Sequence, residues 1–474
     1  MSQAPSQPRI AERAAAWLGR QLQKRVPYAE HNPFLEGPFA PVQQEVTETT
    51  LKVTGTLPSE LNGIYARIGP NPLEVPNPAA YHWFMGDGMV HGVRLSGGRA
   101  LWYRNRWIGS DTLRHAQGRK RLPGPRQGVS DVVNTNVYGH AGRIWASTEA
   151  GVLPVQLDGE LESVRHGLFD SPDALAYTAH PHLDPQTGEL HAVCYDAVQP
   201  NKLRYLVVDA KGALTRRVDI PVQHGPMVHD CAISRRYVVV LDLPVTFQLS
   251  EVMRGSGLPY AWNPKHPARV GLLPRDGTAE DIRWCALDPC YVFHTCNAFD
   301  LEDGRVVMDV VVHDRMFDQS RQGPELDRQQ VTLERWTMDP QRASVAREVL
   351  AAGRQEFPRC DERLSTEPYR YAYTVESDPT RDSARLLRYD FAARTQRIHD
   401  YGKGRVSGEA VFVPRSAQGA EDDGWLVSLV YDRATDRSDL VVVNAQDFGG
   451  EPQAVVHLPV RVPMGFHGNW VPLV

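Results

Sequence analysis

The chain has 474 residues, of which 42% are hydrophobic, and this content is ample for the core of a large globular protein. Its 38 glycines and 36 prolines indicate many turns, and its formal net charge is −5. This slightly acidic balance offers no general attraction for a polyanion, so we expect no nucleic-acid partner.

The N-terminus has no apolar segment of the kind that a secretory signal requires, and no run of about 18 apolar residues could span a bilayer. The six cysteines contain no CxxC pair, and their spacing matches no common zinc motif. They are therefore expected to be reduced, mostly buried thiols. We expect a cytoplasmic protein that is at most peripheral to a membrane.

Residues 9–26 (RIAERAAAWLGRQLQKRV) give the clearest helical pattern in the chain. Apolar side chains recur at three- and four-residue steps, and the basic Arg13, Arg20 and Lys24 lie off that stripe. Such a helix either packs its apolar face on the main body or rests on a lipid surface with a basic flank. Both interpretations stay open, and we assign residues 1–30 to an N-terminal extension.

From Pro33 onward the pattern is that of β-strands almost throughout. Short runs rich in β-branched residues include LRYLVVDA (203–210), RVVMDVVVHD (305–314) and DLVVVNA (439–445), and turn signals separate them. So many short strands without alternating helices predict an all-β sandwich array or a propeller. No short sequence repeat gives the number of blades.

Four histidines stand in strand-like segments beside small or apolar residues: His180 in TAHPHLDP, His229 in MVHDCAIS, His294 in VFHTCNAFD and His467 in GFHGNW. The first three are separated by about one four-stranded blade each. Imidazole binds iron, zinc and copper, so four converging rings predict an all-nitrogen metal site suited to oxygen chemistry or Lewis acidity. His182 is the substitute ligand, since strand geometry would point it the same way as His180.

A metal-bound histidine usually donates its other ring N–H to a carboxylate or a carbonyl. This rule predicts acidic residues in apolar settings, and Glu149 (ASTEAGV), Glu356 (QEFPR) and Glu409 (SGEAVFVP) fit it. A carboxylate placed before Ala-Val-Phe-Val is costly to bury unless it is paired. The alternative for each is an ordinary salt-bridged or exposed glutamate.

The chain resembles the carotenoid cleavage oxygenases, which include apocarotenoid oxygenases, stilbene-cleaving dioxygenases and the retinal pigment isomerohydrolase. The resemblance runs from NPFLEGPFAPV (32–42) to the C-terminus and includes LNGIYARIGPNP (61–72), YHWFMGDGMVHG (81–92) and the four histidine phrases in order. It implies a single catalytic domain over residues 31–474. The implied fold is an all-β, seven-bladed β-propeller with a helical and loop-built cap on its top face.

The same resemblance implies one Fe(2+) per chain, bound by the four histidines named above, with O2 as co-substrate. Thr135 falls at the position that crowds one open coordination site in many members. The three glutamates would each hold one imidazole ring in place. The implied pairs are Glu149 with His229, Glu356 with His294 and Glu409 with His467.

The implied activity is the O2-dependent cleavage of one C=C double bond of a carotenoid or apocarotenoid into two carbonyl products. Stilbene cleavers of the lignostilbene type carry a Tyr and a Lys that clamp the substrate's phenol, and these positions are Trp107 and Thr148 here. Their absence favours an apolar polyene substrate. Cleavage of stilbene or phenylpropanoid alkenes by a different clamp is the alternative, and a non-catalytic carotenoid-binding propeller is a third interpretation.

A polyene substrate would require an apolar tunnel, and aromatic residues near the motifs are candidates for its wall. Each of them could instead belong to the ordinary core. A substrate dissolved in a membrane would also explain the N-terminal helix, because an apolar mouth at the bilayer avoids a passage through water. The wall candidates are Phe34, Tyr81, Trp83, Trp107, Trp145, Thr148 and Phe293.

Overall fold

The computed structural model describes residues 10–173, 175–325, 329–376 and 383–472, and most of its elements are short antiparallel β-strands. The all-β expectation is therefore confirmed. Helices are few. The α-helices span Ile10–Gln23, Asp111–Ala116 and Leu249–Met253, and 3-10 turns span Pro33–Leu35, Gly37–Phe39, Pro78–Ala80, Trp83–Met85, Ala279–Asp281 and Glu362–Leu364.

Five sheets of four or five strands form separate blades of a propeller-like fold, and we call them sheets A, B, C, E and F. Sheet A contains, in spatial order, Thr47–Glu48, Arg99–Trp107, Gly88–Ser96, Gly63–Pro70 and Gly468–Pro472. Sheet B contains Asn136–His140, Arg143–Ser147, Val155–Leu157 and Ser163–His166, and sheet C contains His182–Leu183, Leu190–Cys194, Lys202–Val208 and Leu214–Pro221. Sheet E contains Gln355–Arg359, Tyr371–Glu376, Leu386–Asp390 and Thr395–His399, and sheet F contains Lys52–Gly55, Ala454–His457, Arg437–Asn444, Gly424–Asp432 and Arg405–Pro414.

The remaining large sheet, sheet D, has eight strands. Two four-stranded halves are joined in it because Ala286, in an outer strand of one half, pairs in parallel with Ser344 in the outer strand of the other. The expectation of seven separate blades is therefore wrong: the described chain forms five separate blades and this continuous sheet. Its strands, in spatial order, are Cys231–Ile233, Tyr237–Asp242, Arg269–Pro274, Arg283–Ala286, Ser344–Ala352, Val331–Asp339, Val306–His313 and Thr295–Asp300.

In sheet D, the strands near the centre of the molecule are more deeply buried than the outer ones. Val306–His313 is buried at every position, whereas Ser344–Ala352 is exposed at most positions. Side chains on both faces of a central strand pack against neighbouring sheets, which explains why its sequence is a continuous apolar run rather than an alternating one. Trp145, Trp336 and Trp425 are completely buried between sheets.

The two ends of the chain interlock. Gly468–Pro472, near the C-terminus, pairs with Gly63–Pro70, and Lys52–Gly55, near the N-terminus, pairs with Ala454–His457. Sheets A and F are thus each completed by a strand from the opposite end of the chain. This exchange closes the ring of sheets and leaves fewer strand edges open to other molecules.

A two-stranded ribbon, Val245–Phe247 with Tyr260–Trp262, projects from sheet D and carries the short helix Leu249–Met253. The N-terminal helix packs against that short helix. Leu22 is buried there, but Trp17 and Leu18 are exposed. None of the helices in the described part of the chain has both the length and the hydropathy to cross a lipid bilayer.

We predict that Gly69→Ala destabilises the fold, because the added Cβ would lie 2.6 Å from the Cα of Gly465. Such overpacking costs about 1–3 kcal/mol. Thermal unfolding should therefore show a clear fall in Tm. Gly159→Ala is the matched control, since no atom lies within 4 Å of its added Cβ. Equal Tm values for the two variants would contradict the close approach of Gly69 and Gly465.

Candidate metal centre

The four predicted histidines meet at the centre of the molecule because each lies one or two residues before an edge strand. His180 and His229 lie two residues before His182–Leu183 and Cys231–Ile233, and His294 and His467 come immediately before Thr295–Asp300 and Gly468–Pro472. His182–Leu183 contacts Cys231–Ile233, which in turn contacts Thr295–Asp300. The ligand atoms of His180, His229, His294 and His467 all lie within 4.8 Å of one another, and all four residues are buried.

The distances between the ring nitrogens fit a single metal ion. The Nε2 atom of His229 lies 3.1 Å from Nε2 of His180 and 3.3 Å from Nε2 of His294. Two imidazole nitrogens that are each about 2.0–2.1 Å from one ion are about 2.9–3.4 Å apart at ordinary ligand angles. The four-histidine group is therefore suited to bind a metal.

Three carboxylates hold the far sides of three of these rings. The Nδ1 atom of His229 donates to Glu149 at 2.9 Å, and that of His294 donates to Glu356 at 2.5 Å. The third pair is His467 Nδ1 with Glu409, at 3.1 Å. Hydrogen bonds of this kind fix the tautomer, so that each Nε2 presents a lone pair. Within the described residues, His180 has no carboxylate partner for its Nδ1.

Electrostatics favour neutral rings at two of the four positions. Burial, reinforced by neighbouring imidazoles, holds the pKa of His180 and of His467 well below the usual range. Burial also lowers the pKa of His229, but Glu149 outweighs it and leaves this pKa raised. Neutral imidazole is the form that binds a metal, so the two low-pKa rings are ready ligands near neutral pH.

Two further residues, not anticipated from the sequence, orient the carboxylates. His313 Nε2 lies 2.8 Å from the second oxygen of Glu356, and Arg359 donates to Glu409 at 3.3 Å. Burial raises the pKa of Glu356, but His294 and His313 overcome it and leave the carboxyl ionised. Both residues had a usable signal: His313 ends a long apolar strand, and Arg359 follows Glu356 by three residues.

His182, the substitute ligand, takes a different partner. Its Nε2 lies 2.8 Å from Asp230, which also accepts hydrogen bonds from the backbone and hydroxyl of Thr295. Asp230 raises the pKa of His182 against the effect of burial. His182 lies outside the four-histidine group, so the structure brings His180 to the centre instead.

Thr135 and Thr148 lie side by side next to the centre. Their hydroxyl oxygens are 3.0 Å apart, and the backbone carbonyl of Thr135 accepts a hydrogen bond from the backbone N–H of His467. Both threonines line the cavity described below. Neither side chain carries a charge that could clamp a phenol.

A largely apolar cavity of about 450 Å³ opens beside the centre. Three of the four histidines line it, together with Glu149 and Glu356. Much of its wall is aromatic or aliphatic, and several of these residues sit on loops between sheets. The main apolar wall residues are Trp83, Phe84, Leu258, Tyr260, Phe293, Met316, Phe357 and Phe466.

Of the aromatic wall candidates, Trp83 and Phe293 line the cavity and four do not. Phe34 stacks on Trp83 from the side away from the cavity, with ring centroids 5.2 Å apart, and Tyr81 packs in the same cluster. Trp107 is buried with Met89 and Leu113, and its indole N–H donates to the Asn71 carbonyl. The candidates that do not line this cavity are Phe34, Tyr81, Trp107 and Trp145.

The missed wall residues follow a simple pattern. Phe84 adjoins Trp83, Phe357 adjoins Glu356 and Phe466 adjoins His467. The Phe357 ring lies 5.3 Å from both His294 and His467, measured between centroids. Chain neighbours of the centre and wall residues are thus held close to the cavity by geometry alone, and this adjacency was the available signal.

Comparisons with known proteins agree with this geometry. The model of the family described as retinal pigment epithelial membrane protein matches residues 39–472. A carotenoid cleavage oxygenase of Mycobacterium tuberculosis (strain H37Rv) is 42% identical, with 93% of this chain and 98% of the relative covered.

Two solved structures share the fold. A lignostilbene dioxygenase of Pseudomonas brassicacearum superposes with a TM-score of 0.83 at 30% identity, covering 94% of this chain and all of that one. A cobalt-substituted apocarotenoid oxygenase of Synechocystis gives a TM-score of 0.81 at 26% identity, covering 91% of this chain and 97% of that one.

We predict that His229→Ala loses the bound metal, because His229 is the ring that touches two others through Nε2. Metal content per chain, measured after loading and desalting, should fall close to zero while circular dichroism stays unchanged. His115→Ala is the control, since His115 is exposed on the helix Asp111–Ala116. Retention of a full equivalent of metal by His229→Ala would mean that the ligand set is wrong.

Proposed function

Because the chain belongs to the retinal pigment epithelial membrane protein family, with the carotenoid cleavage oxygenases among its relatives, we propose that it is an Fe(II)-dependent dioxygenase. Its substrate is a carotenoid or apocarotenoid polyene. One C=C double bond is cleaved with O2 to give two aldehyde or ketone products.

One observation carries this proposal: a four-imidazole centre opens directly into a mainly hydrocarbon cavity. Four neutral nitrogen ligands, His180, His229, His294 and His467, suit a redox metal and leave positions free for a small molecule. The Fe(II) bound there would supply the activation of O2. No residue that lines the cavity is required to act as a general acid or base.

The protein's own residues orient the imidazole rings and exclude water from the cavity. Glu149, Glu356 and Glu409 hold three rings from behind through their Nδ1 atoms and add negative charge without facing the metal. Aromatic walls such as Phe293 and Phe357 keep water away and fit the flat hydrocarbon of a polyene. Thr135 narrows the space on one side of the centre. The end of the cavity limits how far the polyene can enter, and this limit determines which double bond lies nearest the metal.

The wall also bears on the choice between polyene and phenolic substrates. Of the two clamp positions, Thr148 lines the cavity, whereas Trp107 is buried in a separate cluster with Met89 and Leu113. Neither side chain carries a charge that could pair with a phenolate, which supports the polyene. The lignostilbene dioxygenase structure makes a stilbene or phenylpropanoid alkene the second candidate, held by a different clamp.

We further propose that residues 31–474 form one catalytic domain and that, in the N-terminal extension (residues 1–30), the helix Ile10–Gln23 contacts a membrane surface. Trp17 is 58% exposed and Leu249, on the neighbouring short helix, is 67% exposed. Leu18 and Met253 are exposed beside them. An apolar surface shared by two contacting helices marks an interaction site, and a lipid surface is where a polyene dissolves. The six free thiols fit a cytoplasmic location.

The substrate is tested with protein reconstituted anaerobically with Fe(II), then exposed to O2 and to β-carotene, an apocarotenal, resveratrol or isoeugenol. We expect aldehyde or ketone fragments of a polyene in the mass spectrum and none with His229→Ala. Use of 18O2 should label the products. Benzaldehydes from the phenolic alkenes alone would favour the second candidate, and no product from iron-loaded protein would favour a carotenoid-binding scaffold.

The membrane contact is tested with the double variant Trp17→Ser, Leu18→Ser, which leaves the buried Leu22 in place. Flotation with liposomes should fall severalfold, because two exposed apolar side chains are lost while the fold is kept. Val349→Ser is the control, since Val349 is also 58% exposed but lies on a strand of sheet D. Unchanged flotation of the double variant would remove the helix from the proposed lipid contact.

A further inference from the structure

A second pair of histidines lies outside the four-histidine centre, and one of its two rings is at the surface. His224 is in the turn that follows Leu214–Pro221, and His266 is in the loop between Tyr260–Trp262 and Arg269–Pro274. Their Nδ1 atoms are 3.1 Å apart. His224 is exposed to solvent, whereas His266 is buried.

A buried carboxylate fixes the tautomer of the inner ring. The Nε2 atom of His266 lies 2.8 Å from Oδ1 of Asp242, and Asp242 is completely buried. The other oxygen of Asp242 accepts a hydrogen bond from Arg269 at 2.8 Å, so both carboxylate oxygens act as acceptors toward neighbouring side chains. The hydrogen of His266 is therefore on Nε2, and its Nδ1 points a lone pair at His224.

This arrangement reproduces the geometry of a ligand pair in the central site. Between His229 and His294 the nitrogens are 3.3 Å apart, the ring centroids 5.1 Å apart and the ring planes at 69°. For His224 and His266 the values are 3.1 Å, 5.3 Å and 75°. The carboxylate behind His266 matches the contact of 2.9 Å between Glu149 and His229.

We propose that His224 and His266 bind a divalent transition metal ion of the zinc type, with Asp242 orienting His266 from behind. The nitrogen separation lies within the range of about 2.9–3.4 Å that two imidazoles adopt on one ion. A carboxylate that receives the other ring N–H is the usual support of a metal-bound histidine. Solvent completes the coordination, and access is open through the exposed His224.

The ion would join two segments next to the cavity. The turn that holds His224 bonds to the ribbon, since the backbone N–H of Phe247 donates to the Gly225 carbonyl at 2.8 Å. The loop of His266 follows the ribbon strand that contains the cavity residue Tyr260. Metal binding would thus link the ribbon to the turn that contains His224 and leads toward His229. This link would stabilise this part of the cavity wall.

The test is a Zn²⁺ titration of the iron-loaded protein by equilibrium dialysis, with zinc and iron measured in the same samples. Wild type and His115→Ala should bind one more Zn²⁺ per chain than His224→Ala, with equal iron in all three. The affinity lost should exceed the roughly tenfold loss that follows removal of an orienting partner, because His224 would bind the ion directly. His224→Gly is a second variant, because glycine readily adopts the left-handed backbone seen at His224, with φ of 62°.

Thermal unfolding supplies a second measurement. Zn²⁺ should raise the Tm of wild type and of His115→Ala, and it should leave both His224 variants unchanged, because only a folded site binds the ion. The proposal is overturned if wild type and the His224 variants take up zinc equally. It is also overturned if zinc enters only by replacing iron. In either case the pair would be a simple hydrogen bond between two rings.

Discussion

The structure depends on holding four imidazole rings buried and aimed at one point. Burial and neighbouring rings keep the pKa of His180 and of His467 low, which removes competing protons. A neutral ring can still rotate or present the wrong nitrogen, and the carboxylates behind it prevent this. Three carboxylates with little exposure so close together are also costly by themselves. A divalent cation bound in front of the rings would offset that cost, so the centre and its supports would stabilise one another.

The fold supplies this arrangement by starting its inner strands at the histidines. The exchange of strands between the chain ends matters most for His467, because the strand that follows it pairs with Gly63–Pro70. Arg67 in that strand donates to the carbonyl of Phe466, and Glu409 accepts the backbone N–H of Gly468. The position of the last ligand is thus fixed by segments at opposite ends of the sequence. The strand pairing that closes the ring of sheets therefore also sets the geometry of the metal centre.

Local chemistry was readable from the sequence, but long-range packing was not. Glu409 could be identified because a carboxylate before an apolar run must find a partner, and the histidine phrases stood out by their apolar settings. Nothing local distinguishes Phe34, which stacks behind Trp83, from Phe84, which lines the cavity. That difference depends on which side of a loop faces the centre. The joined sheet D was equally hidden, since it rests on one pair of residues far apart in sequence.

The two histidine pairs show that environment, more than ligand geometry, determines what a metal can do here. The pair His229 and His294 and the pair His224 and His266 have nearly the same separation and ring angle. The first is buried and faces hydrocarbon, so electrostatic effects are strong and water does not compete with a small apolar reactant. The second has one exposed ring and open water, so an ion there would exchange freely. The same histidine pair therefore suits oxygen chemistry at the centre and, at the surface, reversible binding of an ion that links two segments.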